Sequence, residues 1–123
     1  MRLIAKALII VLLVHSSVSG QIEGLIIDKT RTKVGHDFYE IFYLKIQKMP
    51  GMEYFNIIVD EFVDPQFGSR ISVSINEIVL YQNFVSSRFD DIEEKANEAS
   101  ETINYFFINW KEYQKLLEEE KIR

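Results

Sequence analysis

Cysteine is absent from this chain of 123 residues, and proline appears twice. Without cysteine there is no disulfide framework and no thiol nucleophile. Stability has to come from burial of apolar side chains, and nine Phe, six Tyr and one Trp are available for it. Pro/Gly-rich linkers, low-complexity runs and internal repeats are also missing, so nothing marks a second domain. Basic residues are in the minority, and the formal charge is −5. An acidic chain with no basic stripe is a poor ligand for nucleic acid and is repelled by anionic membrane surfaces.

The first twenty residues are read as a cleaved secretion signal. Arg2 and Lys6 give a positive start, and Ala7 to Val14 is an apolar run too short to span a bilayer. Val18-Ser19-Gly20 supplies the small residues of a cleavage site, leaving residues 21–123 as a single domain. Losing Arg2 and Lys6 takes the formal charge from −5 to −7. No cysteine follows to accept a lipid anchor, so no membrane attachment is expected after cleavage.

The rest of the chain reads as α+β: an N-terminal helix, a three-stranded antiparallel meander and a long C-terminal amphipathic helix. The first helix is expected from Lys33 to Gln47, capped by Thr32, with Val34, Phe38, Ile41 and Phe42 on its apolar stripe. Gly35 in its first turn costs helix stability and so points to close approach by another element. Pro50 and Gly51 stop the helix. Strands follow at Tyr54–Val63, Arg70–Ile75 and Ile78–Val85, the last two joined by a two-residue turn at Asn76-Glu77. That turn sets Ile75 opposite Ile78, Val73 opposite Leu80 and Ile71 opposite Gln82. Leu80 and Phe84 then face inward, while Val79, Tyr81 and Asn83 face outward.

The last helix starts near Ser87. Phe89, Ile92, Ala96, Ala99, Ile103, Phe106, Trp110, Tyr113 and Leu117 follow one another at gaps of three and four. Continued to Glu120 it would measure roughly 50 Å, against about 35 Å for a domain of this size. It should therefore overhang the sheet, break, or fray after about residue 110.

Chemistry is sparse. His36 is the only histidine after the signal, and no second histidine stands at metal-ligand spacing. Neither a G-x-S-x-G motif nor a phosphate-binding glycine loop occurs. Gly35-His36-Asp37 reads as a helix first turn, with Asp37 complementing the dipole; a small hydrolase built on His36 is the weaker reading. Neither a catalytic residue nor a metal or cofactor is expected. Phe67 and Arg70 are a residue pair suited to anchoring an interface, and Val79 and Tyr81 would extend it. Phe67 either tucks over the sheet edge or is presented outward. Trp110, Tyr113 and Leu117 either form a second partner site or pack on the first helix.

The order of residues resembles one narrow family, the periplasmic E component of the curli assembly and transport system. Gly24-Leu25-Ile26, Asp28 and Thr30 are followed at the family's spacing by Gly35-His36-Asp37-Phe38-Tyr39 and Phe42. Asp60-Glu61, Phe67-Gly68-Ser69 and Ile71 to Asn76 continue it. The pattern departs at Ile46 and Phe67, where the family often has tryptophan, and at Arg70, where another aromatic is common. The resemblance draws Ile46 into the set of interaction positions. It implies a non-enzymatic periplasmic adaptor that binds the outer-membrane curli secretion channel. Such an adaptor delivers or selects unfolded curlin subunits, restrains their premature amyloid assembly, and self-associates into a ring. The alternative is a periplasmic binding or inhibitor module for another exported protein.

Overall fold

The computed structural model describes residues 24–122; the secretion signal read at residues 1–20 lies outside them. The elements are β1 (Ile26–Lys29), α1 (Lys33–Ile46), a 3₁₀ turn (Met52–Tyr54), β2 (Ile57–Asp64), β3 (Gly68–Ile75), β4 (Ile78–Val85) and α2 (Phe89–Ile122). The architecture is α+β, with both helices on one face of the sheet.

Local chemistry accounts for α1. The Thr32 backbone is extended, and its hydroxyl accepts the Gly35 amide at 3.2 Å, the expected N-cap. Phe38, Phe42 and Ile46 recur every four residues and are fully buried. Gly51 takes a left-handed φ of 102° and turns the chain into the 3₁₀ segment.

The sheet has four strands in the order β1-β2-β3-β4, not three, and it is mixed. The added strand, β1, runs parallel to β2 with Ile26 beside Ile57. Its four residues, Ile-Ile-Asp-Lys, are too few to show a period. Their partner lies some thirty residues away, so the meander expected from sequence is one edge strand short.

The β3–β4 hairpin turns at Asn76 and Glu77, both with positive φ (47° and 74°), the mirror-image turn that suits strand twist. Ile75 pairs with Ile78 and Ser74 with Val79 as expected. The register then slips by one: Val73 pairs with Tyr81 and Ile71 with Asn83. Leu80 is the extra residue of a β-bulge. Every side chain of β4 beyond it changes face. Tyr81 and Val85 therefore point to the helices, and Phe84 to the open side, the reverse of the simple alternation.

The core lies between the inner sheet face and the two helices, and joins Ile57, Val59, Ile71 and Val73 to Phe38, Phe42, Ile92 and Ile103. Ala96, Ala99 and Ser100 are buried on α2, where small side chains permit close helix packing. Further along, Phe107 enters the core, while Phe106 and Trp110 flank it. Phe55 is the hub there, with ring centroids 5.3 Å from Phe106 and 5.5 Å from both Phe107 and Trp110. The 34 residues of α2 run unbroken for about 51 Å. Residues 111–120 are all exposed, so the helix overhangs the sheet. No helix among the described residues is long and apolar enough to cross a membrane.

Candidate interaction surface and the carboxylate beneath it

The helices leave the other sheet face open. Strand pairing puts Phe62, Arg70 and Phe84 in one row across β2, β3 and β4, with Asp60, Ser72 and Gln82 in the next. The Arg70 guanidinium sits 5.1 Å above the centre of the Phe62 ring, a cation–π contact. Phe67 reaches the same patch from the β2–β3 turn, its ring 5.8 Å from that of Phe84. The turn is held by Asp64, whose Oδ1 accepts the amides of Gln66 (2.7 Å) and Phe67 (3.0 Å), and by Gly68 at φ 88°. Phe67, Phe62 and Phe84 remain 64%, 54% and 40% exposed. Three aromatic rings open to solvent around one guanidinium form an apolar patch of the kind that marks interaction sites. Beside it lies a shallow depression of about 270 Å³ lined by Arg31, Asp60, Arg70, Ser72 and Gln82 among others. Among the described residues, neither Arg31 nor Arg70 has a carboxylate within salt-bridge distance.

The end of the sheet that carries this patch is pinned from the inside by Glu61, which is 3% exposed. Glu61 Oε1 accepts the amides of Arg31 (2.7 Å) and Thr32 (2.9 Å). Glu61 Oε2 accepts the hydroxyls of Thr32 (2.5 Å) and Ser69 (2.6 Å). Burial alone would raise its pKa. The donors from Ser69, Thr32 and Arg31 outweigh burial and hold the carboxyl below the ordinary glutamate range. One side chain thus ties the β1–α1 junction and β2 to the start of β3, next to Phe67 and Arg70. The ring of donors needs Gly35: a β-carbon there would stand 2.8 Å from Glu61 Cδ and 2.8 Å from Thr30 Cβ. The close approach expected at Gly35 is this contact.

His36 belongs to a separate, half-exposed cluster. Its Nδ1 is 2.8 Å from Thr30 Oγ1 and 3.6 Å from Asp28 Oδ2. The Thr30 hydroxyl and amide both donate to Asp28 Oδ1, at 2.5 and 2.8 Å. A hydroxyl whose proton goes to a carboxylate is not activated by the imidazole beside it, so the cluster works as a loop brace. Among the described residues, no three side chains are placed to hold a metal ion.

Of the residues singled out from sequence, Phe67 and Arg70 come together, with Phe67 presented outward. Val79 is on the same face but near the hairpin turn, opposite Ser74. Tyr81 is corrected to the inner face, where its hydroxyl donates to Glu98 at 2.9 Å. Burial and then the Glu98 contact push its pKa up. Ile46 is corrected to a fully buried core position, because the four-residue spacing from Phe38 and Phe42 carries it inward. Trp110 and Tyr113 lie far along α2, their rings 6.2 Å apart, with Trp110 packed on Phe55 and Tyr113 exposed. Phe62 and Phe84 were missed. Phe62 was legible from strand alternation, whereas Phe84 was hidden by the bulge. Glu61 shares the inward phase of Ile57 and Val59, a signal obscured by its charge.

Comparison with known proteins bears on this arrangement. Residues 22–122 match the model of a family described as curli assembly protein CsgE. The curli production assembly/transport component CsgE of Escherichia coli O6:H1 is 31% identical over 78 residues, 63% of this chain and 57% of that protein. Its counterpart in Salmonella typhi is 30% identical over 79 residues, with the same coverage. The matched stretch thus spans little more than half the length of these relatives. With the family model covering every described residue, the chain belongs to the curli assembly protein CsgE family.

Proposed function

We propose that this protein is a periplasmic accessory factor of curli biogenesis. Exported by a signal at residues 1–20 that is then cleaved, it binds the outer-membrane curli secretion channel and delivers or selects unfolded curlin subunits. It restrains their premature amyloid assembly and self-associates into a ring. It does this by presenting surface, without making or breaking covalent bonds. The observation that carries the reading is the open face of Phe62, Phe67, Arg70 and Phe84 in a chain of the CsgE family.

The physical argument is one of competition. An unfolded subunit exposes apolar side chains and unpaired backbone groups, which template further strand addition when they meet a fibril end. Flat aromatic faces with one guanidinium hold such a chain weakly and with little sequence demand. A ring of these faces raises the local number of contacts without new chemistry. While held, the client is kept from strand edges.

Two measurements test this. Added at equal concentration, the protein should lengthen the lag of curlin fibril growth, and immobilised channel should retain it. A Phe67→Ala, Arg70→Ala double variant should remain folded, since both side chains are exposed, yet lose most of the delay or the retention. A wild-type protein that changes neither fibril growth nor channel occupancy would refute the role.

A further inference from the structure

Among the described residues, two other surfaces are left unpartnered, and their chemistry matches. The first is a groove of about 420 Å³ between α1 and the N-terminal part of α2, lined by Ile41, Leu44, Lys45, Glu93 and Asn97. Leu44 stands 68% exposed at its rim. Among the described residues, Asn97 Oδ1 is buried without a hydrogen-bond donor, a condition uncommon in folded chains.

The second surface is the overhanging end of α2. Tyr113, Leu116 and Leu117 are exposed and lie at positions i, i+3 and i+4, one strip of the helix. Lys115 and the run Glu118-Glu119-Glu120 accompany them. Groove and tail are complementary in charge. Lys45, with Lys48 just beyond α1, can meet the glutamates, and Glu93 can meet Lys115.

A copy cannot fill its own groove. Asn97 and Leu116 are nineteen residues apart on one unbroken helix, which is about 29 Å along its axis. We propose that the end of α2 docks in the α1–α2 groove of a second copy of this chain, each copy offering one tail and one groove. Such a contact is head-to-tail, so it closes into a ring when the rotation allows and otherwise extends as an open chain. The proposal rests on the self-association part of the role above and locates its joint.

Sedimentation velocity on the protein alone, without channel or curlin, provides the test. Leu44→Glu damages the groove, and a chain ending at Lys111 lacks the tail; a Leu116→Glu, Leu117→Glu variant damages the tail without shortening it. Leu44, Leu116 and Leu117 are exposed, as are residues 112–120, and circular dichroism verifies the fold. Each variant alone should self-associate at least about tenfold more weakly than wild type. An equimolar mixture of Leu44→Glu with the shortened chain should give a 1:1 dimer and nothing larger, since one copy keeps its tail and the other its groove. Variants that assemble like wild type, or a mixture that stays monomeric, would overturn the joint while leaving self-association intact. A wild-type protein that is monomeric at every concentration would overturn both.

Discussion

Replacing Glu61 with glutamine tests whether a single buried carboxylate holds the patch-bearing end of the sheet together. The substitution keeps the shape. The amide oxygen can still accept the Arg31 and Thr32 amides, but the side chain loses its charge, and the Thr32 and Ser69 hydroxyls meet an NH₂ group. Hydrogen bonds to charged groups contribute about 1.5–3 kcal/mol each against about 1 for neutral ones. Weakening two bonds and reorienting two more should cost roughly 2–3 kcal/mol, allowing for non-additivity within one network. Glu61→Ala, which orphans two backbone amides and two hydroxyls, should cost about 4 kcal/mol or more. For a domain of this size a loss of 2 kcal/mol lowers Tm by about 10 °C. The pH dependence separates charge from packing. The folded-state pKa lies below the ordinary value of 4.5. The stabilisation is therefore complete above that value and disappears as pH falls through the lower, folded-state pKa. Urea unfolding at pH 7 should then show the full gap between wild type and Glu61→Gln, and unfolding in increasingly acidic buffer should show it closing. Equal stability at pH 7, or a gap that stays constant on acidification, would refute the reasoning.

Two further predictions concern backbone positions. Gly→Ala inside a helix ordinarily stabilises by about 1 kcal/mol. Gly35→Ala should do the opposite and lower stability by about 2 kcal/mol, because the new methyl collides with Glu61 and Thr30; a higher Tm by calorimetry would contradict the packing described. Glu77→Gly should raise stability by about 0.5–1 kcal/mol: Glu77 is held at φ 74°, a conformation that costs an L-residue about 1–2 kcal/mol, and glycine's greater loss of backbone freedom on folding offsets about half of that gain. A thermal melt showing a drop would mean that the Glu77 side chain does something beyond turning the hairpin.

The Glu61 network shows where reading the chain alone stops. A charged residue between Val59 and the turn reads as a solvated strand end. It becomes a core residue only because Arg31 and Thr32, thirty positions earlier, and Ser69, eight positions later, bring donors to it. The β-bulge acts in the same way. Ser74-Ile75-Asn76-Glu77-Ile78-Val79 specifies a two-residue turn and the first two pairs of the hairpin. Nothing in that stretch announces that Leu80 will be skipped and that Phe84, not Tyr81, will join the open face.

What the residues decided by themselves is the local structure and the family. Thr32 caps α1, Phe38 and Phe42 set its buried face, Asn76-Glu77 turn the hairpin, and gaps of three and four make α2 a helix. Each depends on contacts within about four positions, where chain connectivity has already removed most of the search. The blocks from Gly24 to Asn76 likewise carry the CsgE pattern in linear order. Only the tertiary structure decided that Ile26–Lys29 is a parallel edge strand, that Glu61 is buried, and that Phe62, Phe67, Arg70 and Phe84 share one surface. Those outcomes follow from pairing and burial between distant segments, whose free energy exists only after the whole sheet and both helices have come together.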